Sequence, residues 1–260
     1  MTSALRRYTP PAALLLALLA AWEAVVRVRN TAPYVLPAPS RIWTAFVATR
    51  RVLPGHVRAT LFEAVLGIGL GAAVGVALAV VVVLWPLARR TLYPLLVASQ
   101  TIPIIVLAPL LVLWFGFGYT PKVVVVVLIV FFPVAVSTAA GLSGVDRELV
   151  ELVRSMGGGR RAVLRLVLLP GAIPAFFAGL QISAAYAVAG AVFGELIGAE
   201  AGLGLFISRS QRAFRVDQVF VGVAAVALLS MALFGVVHAL ARLASPWRYI
   251  GNQDNGRETP

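Results

Sequence analysis

The chain of 260 residues contains no cysteine, a single lysine and ten acidic residues. Without cysteine it has no disulfides, no thiolate metal sites and no sulfur nucleophile. The lysine, Lys122, lies between Pro121 and Val123. That context rules out a Gly-rich loop ending in Lys-Ser or Lys-Thr, the element that holds ATP phosphates. Charged residues make up 12% of the chain, roughly half the share found in soluble domains, so an ordinary soluble globular protein is excluded. His238 has no second histidine or carboxylate at ligand spacing, and His56 lies in a polar connection, so no metal site is expected. No constellation of catalytic groups gathers in one segment, which argues against an enzyme.

What fills the chain is apolar: 60% of residues are hydrophobic and the mean hydropathy is +0.94. Disorder, which needs low hydrophobicity, is therefore excluded as well. The net charge of +12 would suggest nucleic acid in a soluble protein. Among long apolar runs it reads instead as loops facing an anionic leaflet, and no nucleic-acid partner is expected. The chain reads as an all-α polytopic membrane protein of the lipid bilayer.

A helix needs about 20 apolar residues to cross the bilayer core. Charge-free runs at 64–88, 91–119, 123–145, 166–194 and 218–241 meet that length. A sixth, shorter segment at 12–26 contains Glu23 and follows Arg6 and Arg7. No small-x-small cleavage site precedes Trp22, so it is read as a first span rather than a signal peptide. About six transmembrane helices are expected. Basic residues on the two sides of this arrangement nearly balance, so charge alone does not orient it. Within 27–58, Ser40 is positioned to cap an amphipathic helix over 41–52 on the membrane surface.

The most unusual polar stretch is the loop 144–165. Ser143 and Asp146 have the spacing of a capping box. Val145, Leu149, Leu152 and Met156 then fall on one helical face, with Glu148, Glu151 and Ser155 opposite. Gly157, Gly158 and Gly159 stop that helix, and a second one runs from Arg160 to Pro170. On pattern alone this is equally an ordinary interfacial helix between two spans.

The same residues carry a resemblance. Glu151-Leu-Val-Arg-Ser-Met-Gly157, then nine residues, then Val167-Leu-Leu-Pro170, resembles the cytoplasmic signature of bacterial binding-protein-dependent ABC importer permeases. In that signature Glu-Ala-Ala, three residues, Gly and nine residues precede Ile-x-Leu-Pro. Leu152 and Val153 stand in place of the two alanines, and Gly158 and Gly159 replace a small polar pair. Leu36-Pro-Ala-Pro-Ser40-Arg-Ile-Trp43, the run from Leu107 to Gly118, and Gly202-Leu-Gly204 resemble the nitrate, sulfonate and taurine branch. Gln100-Thr-Ile-Pro103 with Leu107-Ala-Pro-Leu110 is most similar to permeases for the thiamine pyrimidine precursor or riboflavin.

The resemblance implies a type I importer fold with a cytoplasmic coupling helix at 146–157, where Glu148, Glu151, Arg154, Gly157 and Pro170 serve the ATPase. It implies a separate ATP-binding subunit holding ATP and Mg, with no cofactor in this chain, an extracytoplasmic solute-binding protein, and a permease homodimer. It also implies a bacterial inner-membrane location with the N-terminus in the cytoplasm. Residues 1–58 then form the N-terminal segment, 59–245 the five-helix permease core, and 246–260 a polar tail.

Other polar residues inside the spans suggest a pathway. At 1.5 Å per residue, Gln100 lies ~13 Å and Gln181 ~15 Å into their spans, near mid-membrane. An amide there faces the bundle interior or an aqueous cavity. Thr101, Ser183 and Tyr186 are nearby, and Pro94, Pro103, Pro109, Pro170 and Pro174 break the same two spans. An interhelical hydrogen bond explains the amides as well as substrate contact does. Glu195, at the outer end of its span, is read as a gate or as an interface residue. Gly67, Gly71, Gly75 and Ala79 form a small-residue row that suits either dimerisation or packing within the subunit. Amides and the lack of mid-span cations favour a neutral or zwitterionic heteroaromatic cargo over taurine, sulfonate or nitrate. An ATP-independent secondary transporter is the other alternative, disfavoured because no mid-span carboxylate or internal repeat is evident.

Overall fold

In the computed structural model, residues 2–246 are described, with backbone alone for 2–9, 11 and 12. The helices are α1 (Thr2–Val28), α2 (Pro39–Thr49), α3 (Leu53–Leu84), α4 (Pro86–Ser99), α5 (Ile104–Phe115) and α6 (Tyr119–Ser143). They continue with α7 (Arg147–Ser155), α8 (Arg160–Val163), a π-helical turn (Leu164–Leu168), α9 (Leu169–Glu195), α10 (Leu203–Arg212) and α11 (Val216–Ala244). Among the described residues four helical stretches are long and apolar enough to cross a membrane: α3, α6, the continuous Arg160–Glu195 and α11. The sixth expected span falls on α1.

α6 and α9 form the centre, with α3 packed along α6 and α11 along α9. The α3–α6 contact follows directly from the small-residue row. Gly67, Gly71 and Gly75 face Val126, Val130 and Val134, and a Cβ added at Gly71 would stand 2.7 Å from that of Val130. The row therefore serves packing within the subunit. The valines it meets are fully buried, and their β-branched side chains fill the space the glycines leave.

Prolines divide the apolar runs more sharply than charge counting predicts. The run 64–88 ends early, because Pro86 holds Trp85 in an extended conformation (φ −120°, ψ 111°) and α3 stops at Leu84. In the other direction α3 begins at Leu53, through His56, Arg58 and Glu63. The expected boundary between 58 and 59 thus falls inside a helix. The run 91–119 is not one span. α4 and α5 meet at a 97° bend, where Pro103 lacks the N–H to continue the helix and forces the residue before it out of helical conformation. Pro94 and Pro109 stay inside their helices.

Two capping expectations also change. α2 starts one residue before Ser40, with Ala38 as cap and Pro39 in the first turn. Ser40 instead gives its backbone N–H and its hydroxyl to the Glu23 carboxylate of α1, at 3.0 and 2.7 Å. Ser143 is the last residue of α6, so it cannot open the next helix; Asp146 does so. Finally, the helix from Arg160 does not stop at Pro170. A π turn precedes it, with the Leu169 N–H bonded to the Leu164 carbonyl, and the wider turn makes room for the proline ring. Of the expected tail, 247–260 lies outside the described residues.

Candidate functional site

α6 separates two polar regions. Lys122 lies near its start and Ser143 at its end, about 32 Å apart along the axis. Beyond Ser143 stands α7. The Asp146 carboxylate accepts the Glu148 N–H at 2.9 Å, Glu148 occupies the first turn and Arg154 the last, so these three charges suit the helix dipole, while Arg147 at the first position opposes it. At the other end Gly157 has φ +82°. Its N–H donates to Arg154 O and that of Gly158 to Val153 O, both at 2.9 Å. These two bonds make a Schellman stop, which needs a left-handed residue where glycine alone is unstrained.

α7 buries none of its residues. Leu149, Leu152 and Met156 are 50–79% exposed, and Glu148, Glu151 and Arg154 are exposed beside them. The loop is held to the bundle by Val145 against Gly171 instead. A helix with well-made ends, only Val150 and Val153 half-buried, offers an apolar stripe and a charged one to whatever lies beyond the bundle. Pro170 is exposed at the base of the same structure, just past the π turn.

At the opposite end, α3, α6, α9 and the start of α10 enclose a polar cluster. Glu195 is buried; its Oε1 accepts the Thr60 hydroxyl at 2.6 Å and its Oε2 accepts the Gly204 N–H at 2.5 Å. Thr60 Oγ1 in turn accepts the Leu203 N–H at 2.8 Å, and His56 Nδ1 accepts the Gly202 N–H at 3.1 Å. Lys122 Nζ donates to Glu63 Oε1 at 2.9 Å, with side-chain exposures of 6% and 0%. Glu63 Oε2 has no hydrogen-bond partner. The Gly202-Leu-Gly204 segment is thus fastened to α3 and α9 by three backbone N–H groups.

The pathway candidates are spread over several surfaces. Gln100 and Thr101 are exposed at the α4–α5 bend, where Thr101 Oγ1 donates to Ala98 O at 2.8 Å and Gln100 Nε2 lies 3.4 Å from Ser99 Oγ. The bend breaks the straight helix along which the depth of Gln100 was reckoned. Gln181 Nε2 lies 3.3 Å from His238 Nδ1 on α11, and the buried Ser183 donates to Val130 O at 3.2 Å. Tyr186, on another face of α9, is 61% exposed. No hydrogen bond among the described residues joins Gln100 to Gln181. Sequence reasoning passed over Lys122, Glu63, Thr60 and His56 as members of the cluster around Glu195. The available signal was one charged residue near the same end of each of three apolar runs.

Comparison with known proteins follows the same outline. Residues 67–248 match the family described as binding-protein-dependent transport system inner membrane component. Among curated proteins, the formylaminopyrimidine transport permease ThiX of Halalkalibacterium halodurans is 37% identical over 92% of this chain and 95% of its own. The riboflavin transport permease RibX of Chloroflexus aurantiacus is 34% identical, covering 90% and 88%. The taurine transport permease TauC of Escherichia coli is 30% identical, covering 93% and 90%. Among solved structures, an inward-facing MetNI methionine ABC transporter aligns with TM-score 0.68 and 19% identity, over 76% of this chain and 98% of its own.

Proposed function

Because the chain belongs to the family of binding-protein-dependent transport system inner membrane components, we propose that it imports a small neutral or zwitterionic heteroaromatic solute, of the pyrimidine or flavin class. The chain is the permease subunit of an ABC importer in the inner membrane, and membership implies an ATPase subunit and a solute-binding protein as partners. The observation that carries the coupling role is the bare stripe of Leu149, Leu152 and Met156 on a helix capped at both ends. In this reading the ATPase pair holds ATP and Mg, and its closure moves α7 through that stripe and through Glu148, Glu151 and Arg154. Gly157 keeps α7 rigid up to its stop, and the helix through Pro170 carries the motion into the bundle. Coupling needs different contacts in the two states, which an exposed stripe is free to make.

The α7 end then faces the cytoplasm, the Glu195 cluster lies outside, and α1 starts in the cytoplasm. Two copies pair through the exposed faces of α5 and α9, where Trp114, Ile182 and Tyr186 stand. Gln100, Thr101 and Tyr186 offer uncharged hydrogen-bonding groups to cargo, with Gln181 and Ser183 behind them. Glu195 serves the outer gate. No lysine or arginine lies in the middle of an apolar run, and the one lysine, near the start of α6, is engaged by Glu63; this weighs against a sulfonate, although the taurine relative keeps that cargo as the second reading.

The test is reconstitution of the chain with its ATPase and binding protein in liposomes. Uptake of a pyrimidine or riboflavin that requires ATP is expected, with the binding protein's melting temperature raised by the same solute. Uptake of taurine instead would move the assignment to the second reading. Solute flux by the purified chain without the ATPase would overturn the importer altogether.

A further inference from the structure

On the flank away from α6, helices α1, α2, α3 and α11 enclose a groove of about 800 Å³. Trp22, Ile42, Trp43, Phe46, Phe220 and Leu228 form its walls, and every side chain in the lining is apolar or an indole. Its floor on α11 is made of Ala224, Ala225 and Ala232, whose small side chains create the concavity. From Phe220 to Ala232 the groove runs about 18 Å along α11, close to the ~15 Å depth of one leaflet's hydrocarbon.

The two ends of the groove differ. At the Phe220 end, one turn back along α11, Arg215 and Arg41 share the Asp217 carboxylate at 3.3 and 3.9 Å. Both guanidiniums are about half exposed; two cations against one carboxylate leave a single positive charge, the nearby Glu23 carboxylate being neutralised by Arg27 at 2.6 Å. They line two clefts of about 490 and 530 Å³ together with Tyr34, Ser40 and Thr44. Trp22 lines the groove beside Phe220, its ring 5.5 Å away and tilted by 49°, and its neighbour Glu23 holds Ser40 of the clefts. Its indole N–H is buried and has no acceptor among the described residues. From the clefts inward, the order is therefore cation, unpartnered donor, apolar channel.

We infer that this flank holds an anionic phospholipid, with its phosphate on Arg41 and Arg215, an ester oxygen at Trp22 and one acyl chain along Ala224 to Ala232. Each lipid part meets the group that complements it at its own depth. The described residues offer no other acceptor for Trp22, and lipid ester oxygens lie at the level where indoles gather. A net charge of one near the headgroup favours an anionic lipid over a zwitterionic one by about fivefold.

Native mass spectrometry of the full-length purified chain tests this, with phosphatidylglycerol and phosphatidylcholine of identical acyl chains as probes. The wild type is expected to retain phosphatidylglycerol about fivefold better. In R41Q, where Arg215 still covers Asp217, the preference falls to near unity while phosphatidylcholine binding is kept. In A225F, which fills the groove, retention of both lipids drops. Equal retention of the two lipids by the wild type, or an undiminished preference in R41Q, overturns the proposal. So does a disulfide dimer of L228C, a clean probe in a cysteine-free chain, since a second copy would then occupy the groove.

Discussion

Replacing Lys122 with methionine removes an ammonium while keeping most of the side chain's volume. The structure fixes the consequence. Glu63 is fully buried, its Oε1 depends on Lys122 at 2.9 Å, and its Oε2 has no hydrogen-bond partner. Removing one partner of a buried pair costs about 3–5 kcal/mol, because the remaining charge stays in a poor solvent. For a chain of this size ~1 kcal/mol moves the melting temperature by roughly 2–4 °C. A fall of roughly 6–20 °C is therefore expected for K122M, read from tryptophan fluorescence of the detergent-solubilised chain at one fixed scan rate. Neutralising the other side as well, in K122M/E63Q, takes away the stranded charge and should return most of the loss. A drop of under about 2 °C in K122M, or a double variant no better than the single one, would refute the claim that charge compensation holds this end of the bundle.

Further predictions concern the coupling loop and the α3–α6 contact. G157A places a Cβ at φ +82°, a strain of about 1–2 kcal/mol that is relieved by unwinding the end of α7. Substrate-stimulated ATP hydrolysis should persist while uptake falls about tenfold, and wild-type uptake by an assembled G157A complex would count against a rigid coupling helix. L149D/L152D alters exposed positions, so the stability of the isolated chain should hold to within about 0.5 kcal/mol. Its affinity for the ATPase subunit should fall roughly thirtyfold, as for the loss of an interface anchor worth about 2 kcal/mol; unchanged binding would show that the stripe faces lipid. G71V drives a branched side chain into Val130 and should cost about 1–3 kcal/mol, partly regained in G71V/V130A.

The elements legible in the sequence are those whose cause is local. The spacing of Leu149, Leu152 and Met156 and the glycines after them announce α7, and the row of Gly67, Gly71 and Gly75 announces a close helix contact. The valines on the other side of that contact lie some sixty residues away, beyond the reach of any local pattern. Charge-free runs misplace the ends of α3, because Arg58 and Glu63 lie inside the helix and Glu63 is neutralised by Lys122. The same habit of ending spans at charges hid the outer cluster, whose members are each unremarkable alone. Ser143 had the right spacing for a cap, but α6 was still using it. At 99–104 the charge-free run continues while the backbone helix cannot, and Pro103 decides the outcome.

The unbroken helix from Arg160 to Glu195 has a mechanical meaning. From the π turn to Glu195 it is a lever of about 40 Å; any hinge would lie beside the α7 loop, and the far tip is gripped by Thr60 and Gly204. A tilt of only about 5° at the hinge would carry that tip some 3.5 Å, roughly the length of a whole hydrogen bond. The grip therefore tolerates almost no independent swing of α9. Either α3 and the Gly202–Gly204 strap travel with it as one body, or the grip lets go, and the tip becomes a mechanical fuse that reports how hard the far end has been pulled.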